Sequence, residues 1–287
     1  MSAFMEEVDK RHDTALASGA LLPIEAEQME IVDRGLTFIL RWVSTLSAKD
    51  AARKIIPGGP RDPNFNPFLK PEPALTVGPV GAQHVAILNK FPVSARHLVL
   101  ARREFAEQQA PLDMSDFTAL SIVMSEAGGL GFYNGGAAAG ASQRHKHVQW
   151  LPATPGNAGL AYLADGLPMD LPPFRTVQHP VLPFRHVFVR VDCEEGVPTS
   201  RSAASMYKGY ELACGELGFI PNEVGLLPAC NMLVQDGWML LVPRSREHAG
   251  EVSINALSFG GTLYVRTPDQ LEPIRRSGPL ALLREVA

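Results

Sequence analysis

Short apolar runs alternate with turn-rich breaks along the whole chain, and the pattern predicts many strands and few long helices. Residues 1–28 read as an N-terminal arm and helix, interrupted by the run from Ala15 to Pro23. Met29-Glu30-Ile31-Val32 and the run Leu36 to Val43 flank the turn triplet Asp33-Arg34-Gly35, which predicts a hairpin. Leu36 to Val43 also fits a buried helix, and the strand is preferred. Lys49 to Lys54 is polar and helical in character. His84 to Leu88 and His97 to Leu100 predict two strands joined by Asn89 to Arg96. Asp113 or Ser115 can cap a helix that runs to about Ala127 and stops at Gly128-Gly129. Its apolar positions Phe117, Leu120, Ile122, Val123 and Met124 form one broad face. Phe184 to Val191 alternates as a strand does, and Ala203 to Leu217 reads as a helix stopped near Gly218. Asn231 to Val234 and Trp238 to Val242 flank Gln235-Asp236-Gly237, and Asp-Gly between apolar runs is a strong hairpin signal. Val252 to Val265 predicts further strands around Gly260-Gly261, and the tail from Pro268 one or two helices.

Two Pro-rich stretches organise these elements. Pro57 to Pro73 cannot be helix, yet with Phe65, Phe68 and Leu69 it is too apolar for a mere linker, so it reads as an ordered loop. Pro152 to Pro183 is the best boundary. An echo crosses that boundary. Ile87-Leu88-Asn89-Lys90, then His97 to Glu104, is a hairpin followed by Arg-Arg-Glu; Met232-Leu233-Val234-Gln235, then Trp238 to Val242 and Arg244-Ser245-Arg246-Glu247, is its counterpart. The expectation is an α+β protein of two related half-domains, 1–180 and 181–287, on mainly antiparallel sheets with flanking helices.

Composition narrows the function. The chain has 287 residues, 46% hydrophobic, and a formal net charge of -4, so core is ample and no basic footprint suggests a nucleic-acid polymer as partner. No run approaches the roughly 18 apolar residues of a membrane span. The acidic start Met1-Ser2-Ala3-Phe4-Met5-Glu6-Glu7 lacks the layout of a signal peptide. Cys193, Cys214 and Cys230 are odd in number and far apart, which points to thiols in a reducing, cytoplasmic compartment.

The chemistry concentrates between Gly131 and Pro152. Asn134 to Gln143 is almost all Gly, Ala and Ser, and His145, His147 and Gln149 follow at spacing two. On a strand that spacing places all three on one face. A loop without bulky side chains lets backbone N–H groups approach an anion. On this ground Gly140→Val is expected to cripple activity with little loss of fold. Three readings compete: a structural turn feeding a strand whose histidines happen to alternate; a metal site completed by His84 or His97; and nucleophilic attack by histidine on phosphorus. Asn89 and Lys90 stand at a strand end, where sites are often built, and lysine is a point charge suited to phosphate.

The chain resembles the ATP adenylyltransferases, or diadenosine tetraphosphate (Ap4A) phosphorylases, of the histidine-triad (HIT-like) superfamily. The resemblance rests on Asn66-Pro67-Phe68-Leu69, Leu88-Asn89-Lys90-Phe91, Ala141-Ser142-Gln143 leading into His145-Lys146-His147-Val148-Gln149, and Leu182-Pro183-Phe184. In the second half it rests on Asn231 to Leu233, Trp238-Met239, Pro243-Arg244-Ser245 and Asn255-Ala256-Leu257. Gln149 stands where triad hydrolases carry a third histidine, which resembles the transferase branch that includes galactose-1-phosphate uridylyltransferase. The resemblance implies that His147 attacks the α-phosphorus of Ap4A, ATP leaves, and phosphate then takes AMP from the imidazole to give ADP. It implies that His145 orients the site and Gln149 binds a non-bridging oxygen. Lys90, Asn89, Ser142, Gln143 and the Gly140-Ala141 backbone would cradle polyphosphate, with Lys54 as a second cation and Asn134 and Asn231 as nucleotide contacts. No covalent cofactor is expected beyond a divalent cation such as Mg2+ on the polyphosphate. A dinucleoside polyphosphate hydrolase, or a nucleotide- or metal-binding protein without turnover, are the alternatives.

Overall fold

The computed structural model describes residues 3–24, 26–43, 66–193, 197–266 and 268–287. The helix expected over Lys49 to Lys54, Lys54 itself, and the first part of the Pro57 to Pro73 loop lie outside these residues.

Helix α1 (Ala3–Ala17) buries Met5, Val8 and Ala15 against the rest of the chain. Strands β1 (Ala26–Asp33) and β2 (Leu36–Val43) form the expected hairpin. Its two turn residues, Arg34 and Gly35, have φ 49 and 82, and the second hairpin turns on Asp236 and Gly237 at φ 48 and 78. Two successive positive φ values give the turn whose twist matches the flanking strands.

A nine-stranded sheet dominates. Its strands are β3 (Thr76–Val80), β4 (His84–Leu88), β5 (Leu98–Arg102), β6 (Leu130–Gly135), β7 (His147–Leu151), β8 (Thr176–Val177), β9 (Val187–Arg190), β10 (Cys230–Gln235) and β11 (Trp238–Pro243). Their spatial order is β3-β4-β5-β7-β6-β10-β11-β9-β8, with every neighbouring pair antiparallel. The two halves of the sequence thus share one sheet, joined where β6 pairs β10 with Asn134 opposite Asn231. Thr176–Val177, on the N-terminal side of residue 180, pairs with β9 at the far edge of the second half.

Helices α2 (Met114–Ala127) and α3 (Thr199–Glu216) cover one face. Asp113 caps α2 in a reciprocal capping box with Asp116. Along β10, Met232 and Val234 join the helix-side core while Leu233 joins the core on the other face. The same alternation sends Met239 and Leu241 of β11 one way and Leu240 and Val242 the other. A strand buried on both faces reads as an unbroken apolar run, which is why Trp238 to Val242 carries no visible period.

Opposite the helices lies a small mixed sheet, β1-β2-β14, in which β14 (Thr262–Val265) runs parallel to β2. Between Val252 and Val265 the expected strands shrink to two short ones, β13 (Val252–Ser253), paired with β12 (His248–Ala249), and β14. A one-turn helix, α4 (Ala256–Phe259), interrupts them, because Asn255 and Ser258 form a second capping box. Two C-terminal helices, α5 (Leu271–Ser277) and α6 (Pro279–Val286), close the chain.

Candidate active site

A cleft of about 840 Å3 opens between the large sheet and the small one. Strand β7 supplies its chemistry. His147 and Gln149 lie two residues apart on the cleft side, while Lys146 faces away. The buried Lys146 ammonium sits 2.7 Å from Asp116 of α2 and donates to the Pro111 carbonyl at 2.6 Å. Asp116 also meets His84 at 2.9 Å. This set is buried on the helix side, so a slip of β7 by one residue would strand a lysine in the cleft and a histidine against Asp116.

His145 departs from the expected row. β7 begins at His147, and His145 sits earlier, in an isolated bridge with Glu107. Its ring does not line the cleft. Nε2 meets the Arg102 carbonyl at 2.7 Å and Nδ1 meets the Asn66 amide at 2.9 Å, with Phe68 and Phe105 packed edge-on. What His145 offers His147 is its backbone: Nδ1–H of His147 donates to the His145 carbonyl at 2.8 Å. That bond fixes the tautomer. Nε2 keeps its lone pair and makes no hydrogen bond among the described residues. Burial lowers the His147 pKa to about 4, so the ring is neutral near pH 7.

Gln149 is oriented from the neighbouring strand. His97 Nε2–H donates to Gln149 Oε1 at 3.0 Å, and the Asn89 amide donates to His97 Nδ1 at 3.2 Å. Burial lowers His97 to about 4 as well, so it too is neutral. With its oxygen held by His97, Gln149 has both N–H bonds of its NH2 group to offer a ligand. Asn89 thus holds the His97 ring while itself lining the cleft. As for the metal reading, His84 faces the opposite side of the sheet and His97 is bonded to Gln149 and Asn89. Among the described residues no group of three or more His, Cys, Asp or Glu side chains could hold an ion.

The small-residue loop joins β6 to β7. It makes a 3-10 turn at Ala137–Ala139, flanked by Gly136 at φ 104 and Gly140 at φ 85. The backbone N–H of Gly140 donates to Ala137 at 2.9 Å and that of Ala141 to Gly136 at 3.1 Å, so neither is available for an anion. The N–H groups of Ser142 and Gln143 make no hydrogen bond among the described residues, and both residues line the cleft. Of the expected cradle, Ser142 and Gln143 thus keep backbone N–H groups without a partner among the described residues, and Gly140 and Ala141 do not. The reading of Gly140 changes with it. A Cβ there would stand 2.8 Å from Asn255 Cβ and 3.0 Å from the Ile254 carbonyl, on a backbone that L side chains rarely adopt. A valine would push the second half away from the loop, so fold and activity would suffer together.

Asn134 lines the cleft; Asn231 does not. Asn134 Oδ1 accepts from Asn231 Nδ2 at 2.8 Å and from the Ala256 N–H at 2.9 Å. Asn231 also donates to the Ala139 carbonyl at 2.9 Å and accepts from the Arg244 guanidinium. Its amide is fully engaged, so it supports the loop from below. Arg244 is buried, which lowers its pKa to about 10, and its remaining bonds go to the carbonyls of Val286, Ile254, Arg246 and Glu247.

Lys90 stands at the cleft rim, 2.8 Å from Glu72, with both side chains about 43% exposed. The lining also includes Arg41 and Trp42 of β2 and Tyr264, Val265, Arg266 and Gln270. No sequence motif singled these out. Arg41, Lys70, Lys90 and Arg266 outnumber the lining carboxylates Glu72 and Glu251, which makes the cleft more basic than the chain as a whole.

The arrangement is a neutral, tautomer-fixed histidine beside free backbone N–H groups and an oriented amide, in a basic cleft on an antiparallel sheet. Residues 1–162 match the family model of the Ap4A phosphorylase N-terminal domain, and residues 180–287 that of the ATP adenylyltransferase C-terminal domain. The chain belongs to the Ap4A phosphorylase family. Diadenosine 5',5'''-P1,P4-tetraphosphate phosphorylase 2 of Saccharomyces cerevisiae is 27% identical over 290 residues, spanning 92% of this chain and 88% of that protein. The crystal structure of yeast Ap4A phosphorylase Apa2 shares the fold at TM-score 0.78, with 22% identity over 99% of this chain and 97% of that one. Its complex with Ap4A gives TM-score 0.77, 21% identity, and coverage of 100% and 98%.

Proposed function

We propose that this chain phosphorolyses Ap4A to ATP and ADP, reversibly, by way of AMP carried on His147. The observation that carries the reading is the tautomer of His147: Nδ1–H is held by the His145 carbonyl, and Nε2 presents a lone pair from a neutral ring in the cleft. Nε2 attacks the α-phosphorus, the bond from that phosphorus to the bridging oxygen breaks, and ATP departs. A phosphate oxygen then attacks the same phosphorus, the N–P bond breaks, and ADP leaves with His147 restored. Splitting one transfer into two is the purpose of a covalent intermediate.

The Gln149 NH2 and the N–H groups of Ser142 and Gln143 supply donors for non-bridging oxygens, where charge must be stabilised in phosphoryl transfer. Lys90 offers charge at the rim. A neutral amide at 149 cannot give a proton to a leaving group, which favours transfer over hydrolysis. A divalent cation such as Mg2+ would travel with the polyphosphate. The lining carboxylates are Glu72, paired with Lys90, and Glu251, a poor set for a dedicated cage. The thiols Cys214 and Cys230, unpaired, support a reducing compartment such as the cytoplasm.

The test uses Ap4A labelled in the α-phosphates. The expected result is acid-labile AMP on the protein, mapped to His147, and labelled ADP formed only when phosphate is added. Labelled AMP released at the same rate without phosphate would identify a hydrolase instead. Absence of any protein-bound label on rapid quenching would sink the covalent route.

A further inference from the structure

We infer that Gln108 is a positioning residue for the nucleophile: its side chain is a spacer that holds His147 and Asn134 apart. The inference rests on the proposed role of His147. β6 and β7 pair from Leu130 opposite Leu151 to Phe132 opposite Gln149. Continued in register, the ladder would next bond Asn134 to His147. It does not, because the buried side chain of Gln108 is inserted there.

Gln108 Oε1 accepts the His147 N–H at 2.8 Å, while Nε2 donates to the His147 carbonyl at 3.0 Å and the Asn134 carbonyl at 2.8 Å. The carboxamide stands in for a peptide group, with its acceptor facing a donor and both its donors facing acceptors, so only this orientation satisfies all three partners. The surrounding backbone carries the side chain to that spot. Lys146 N–H donates to Ala106 at 2.9 Å and Gln108 N–H to Arg144 at 2.7 Å, so the approach to β7 pairs with residues 106–108 instead of with β6. The Tyr133 hydroxyl donates to the Gln108 carbonyl. The two strands splay at the point where the cleft begins, and both residues they release line it.

The consequence is geometric. Without the spacer, His147 and Asn134 can close on each other or drift, and a misplacement near 1 Å costs about a hundredfold in rate. Gln108 does not line the cleft, so binding should change little.

Two variants test this by single-turnover transfer of AMP to the protein. Gln108→Met keeps length and removes every polar contact. Gln108→Glu keeps shape but turns an acceptor toward two carbonyls, and protonation restores one donor. Both are expected to form the adduct about a hundredfold more slowly than wild type at pH 8, with half-saturation by Ap4A within about threefold. Relative to wild type, the glutamate variant should recover part of its rate as pH falls from about 8 to 5.5, and the methionine variant none. Wild-type rates for both variants, a loss confined to half-saturation, or the same pH response in both would overturn the inference. So would failure of both to give a native melting transition, since Gln108 would then be a requirement of the fold. Wild type lacking an adduct on His147 would instead overturn the proposed function.

Discussion

Two hairpins of the large sheet make an instructive pair. β4 and β5 are joined by the long connection Asn89 to His97, and that connection delivers Asn89, Lys90 and His97 to the cleft. β10 and β11 are joined by two residues, Asp236 and Gly237, and the hairpin is buried on both faces. The first has backbone to spare for polar groups at a strand end; the second has none. Its polar residues point into the protein: Asn231 and the following Arg244 brace the loop that the first half uses, and Gln235 accepts from the Leu160 N–H. The unit is the same, and loop length separates a hairpin that lines the cleft from one that braces it.

The sharpest way to break this division is at His147. His147→Ala should abolish protein-bound AMP and cut turnover by about 10^4-fold or more, with the melt little changed. His145→Ala, which leaves the backbone carbonyl in place, should slow the reaction and still give a detectable adduct. Equal loss in both would mean that the tautomer lock is not what distinguishes them.

Next in size is the brace. Arg244→Met leaves the Asn231 oxygen and several carbonyls without their buried partner, at a cost of about 3 kcal/mol. Thermal melting should fall by several degrees, together with the rate of adduct formation. An unchanged melt would make the second half a passenger rather than a support.

Acid sharpens the comparison on the side that carries the histidines. His97 and His147 hold pKa values of about 4, against roughly 6.5 in an unfolded chain. Between those values the unfolded state binds more protons, so stability should be level above about pH 6.5 and decline toward pH 4, by about 2 kcal/mol per ring at pH 5. Urea midpoints at several pH values would measure it, with a shallower decline for His97→Gln. Nucleotidyl transfer should likewise hold its rate until well below pH 6. The smallest effect is at the rim: Lys90→Ala removes a half-exposed charge already paired with Glu72 and should raise the Ap4A half-saturation by about threefold, less at high salt. A tenfold loss of kcat would place Lys90 at the reacting phosphorus instead.

The sequence made the local part of this legible. The two hairpin turns follow from Arg34-Gly35 and Asp236-Gly237, helix α2 from its Asp113 cap, and His147 with Gln149 from spacing two. Expecting the His145 ring on the cleft face extends that period past the first residue of the strand. The remaining gaps are all long-range. Nothing local to Gln108 says that its amide will sit between two strands whose register it interrupts. Nothing local to Asn231 distinguishes a nucleotide contact from a buried amide whose partners come from residues 134, 139 and 244. Arg41 and Tyr264 share a cleft because β14 returns to β2, a pairing that no periodicity encodes.

That return has a further consequence. Ile39 pairs with Thr262, and the Leu280 N–H donates to Asp33. The wall of the cleft is therefore closed by segments far apart in sequence, 247 residues in the case of Asp33 and Leu280. During synthesis the hairpin β1–β2 emerges before β14 and must wait, with that edge unpaired, until the more than 200 intervening residues have been made. Contacts of such sequence separation slow folding and leave strand edges open to wrong partners. The wall is complete only once β14 has paired with β2, so the cleft of a nascent chain lacks Tyr264 and Val265 until then.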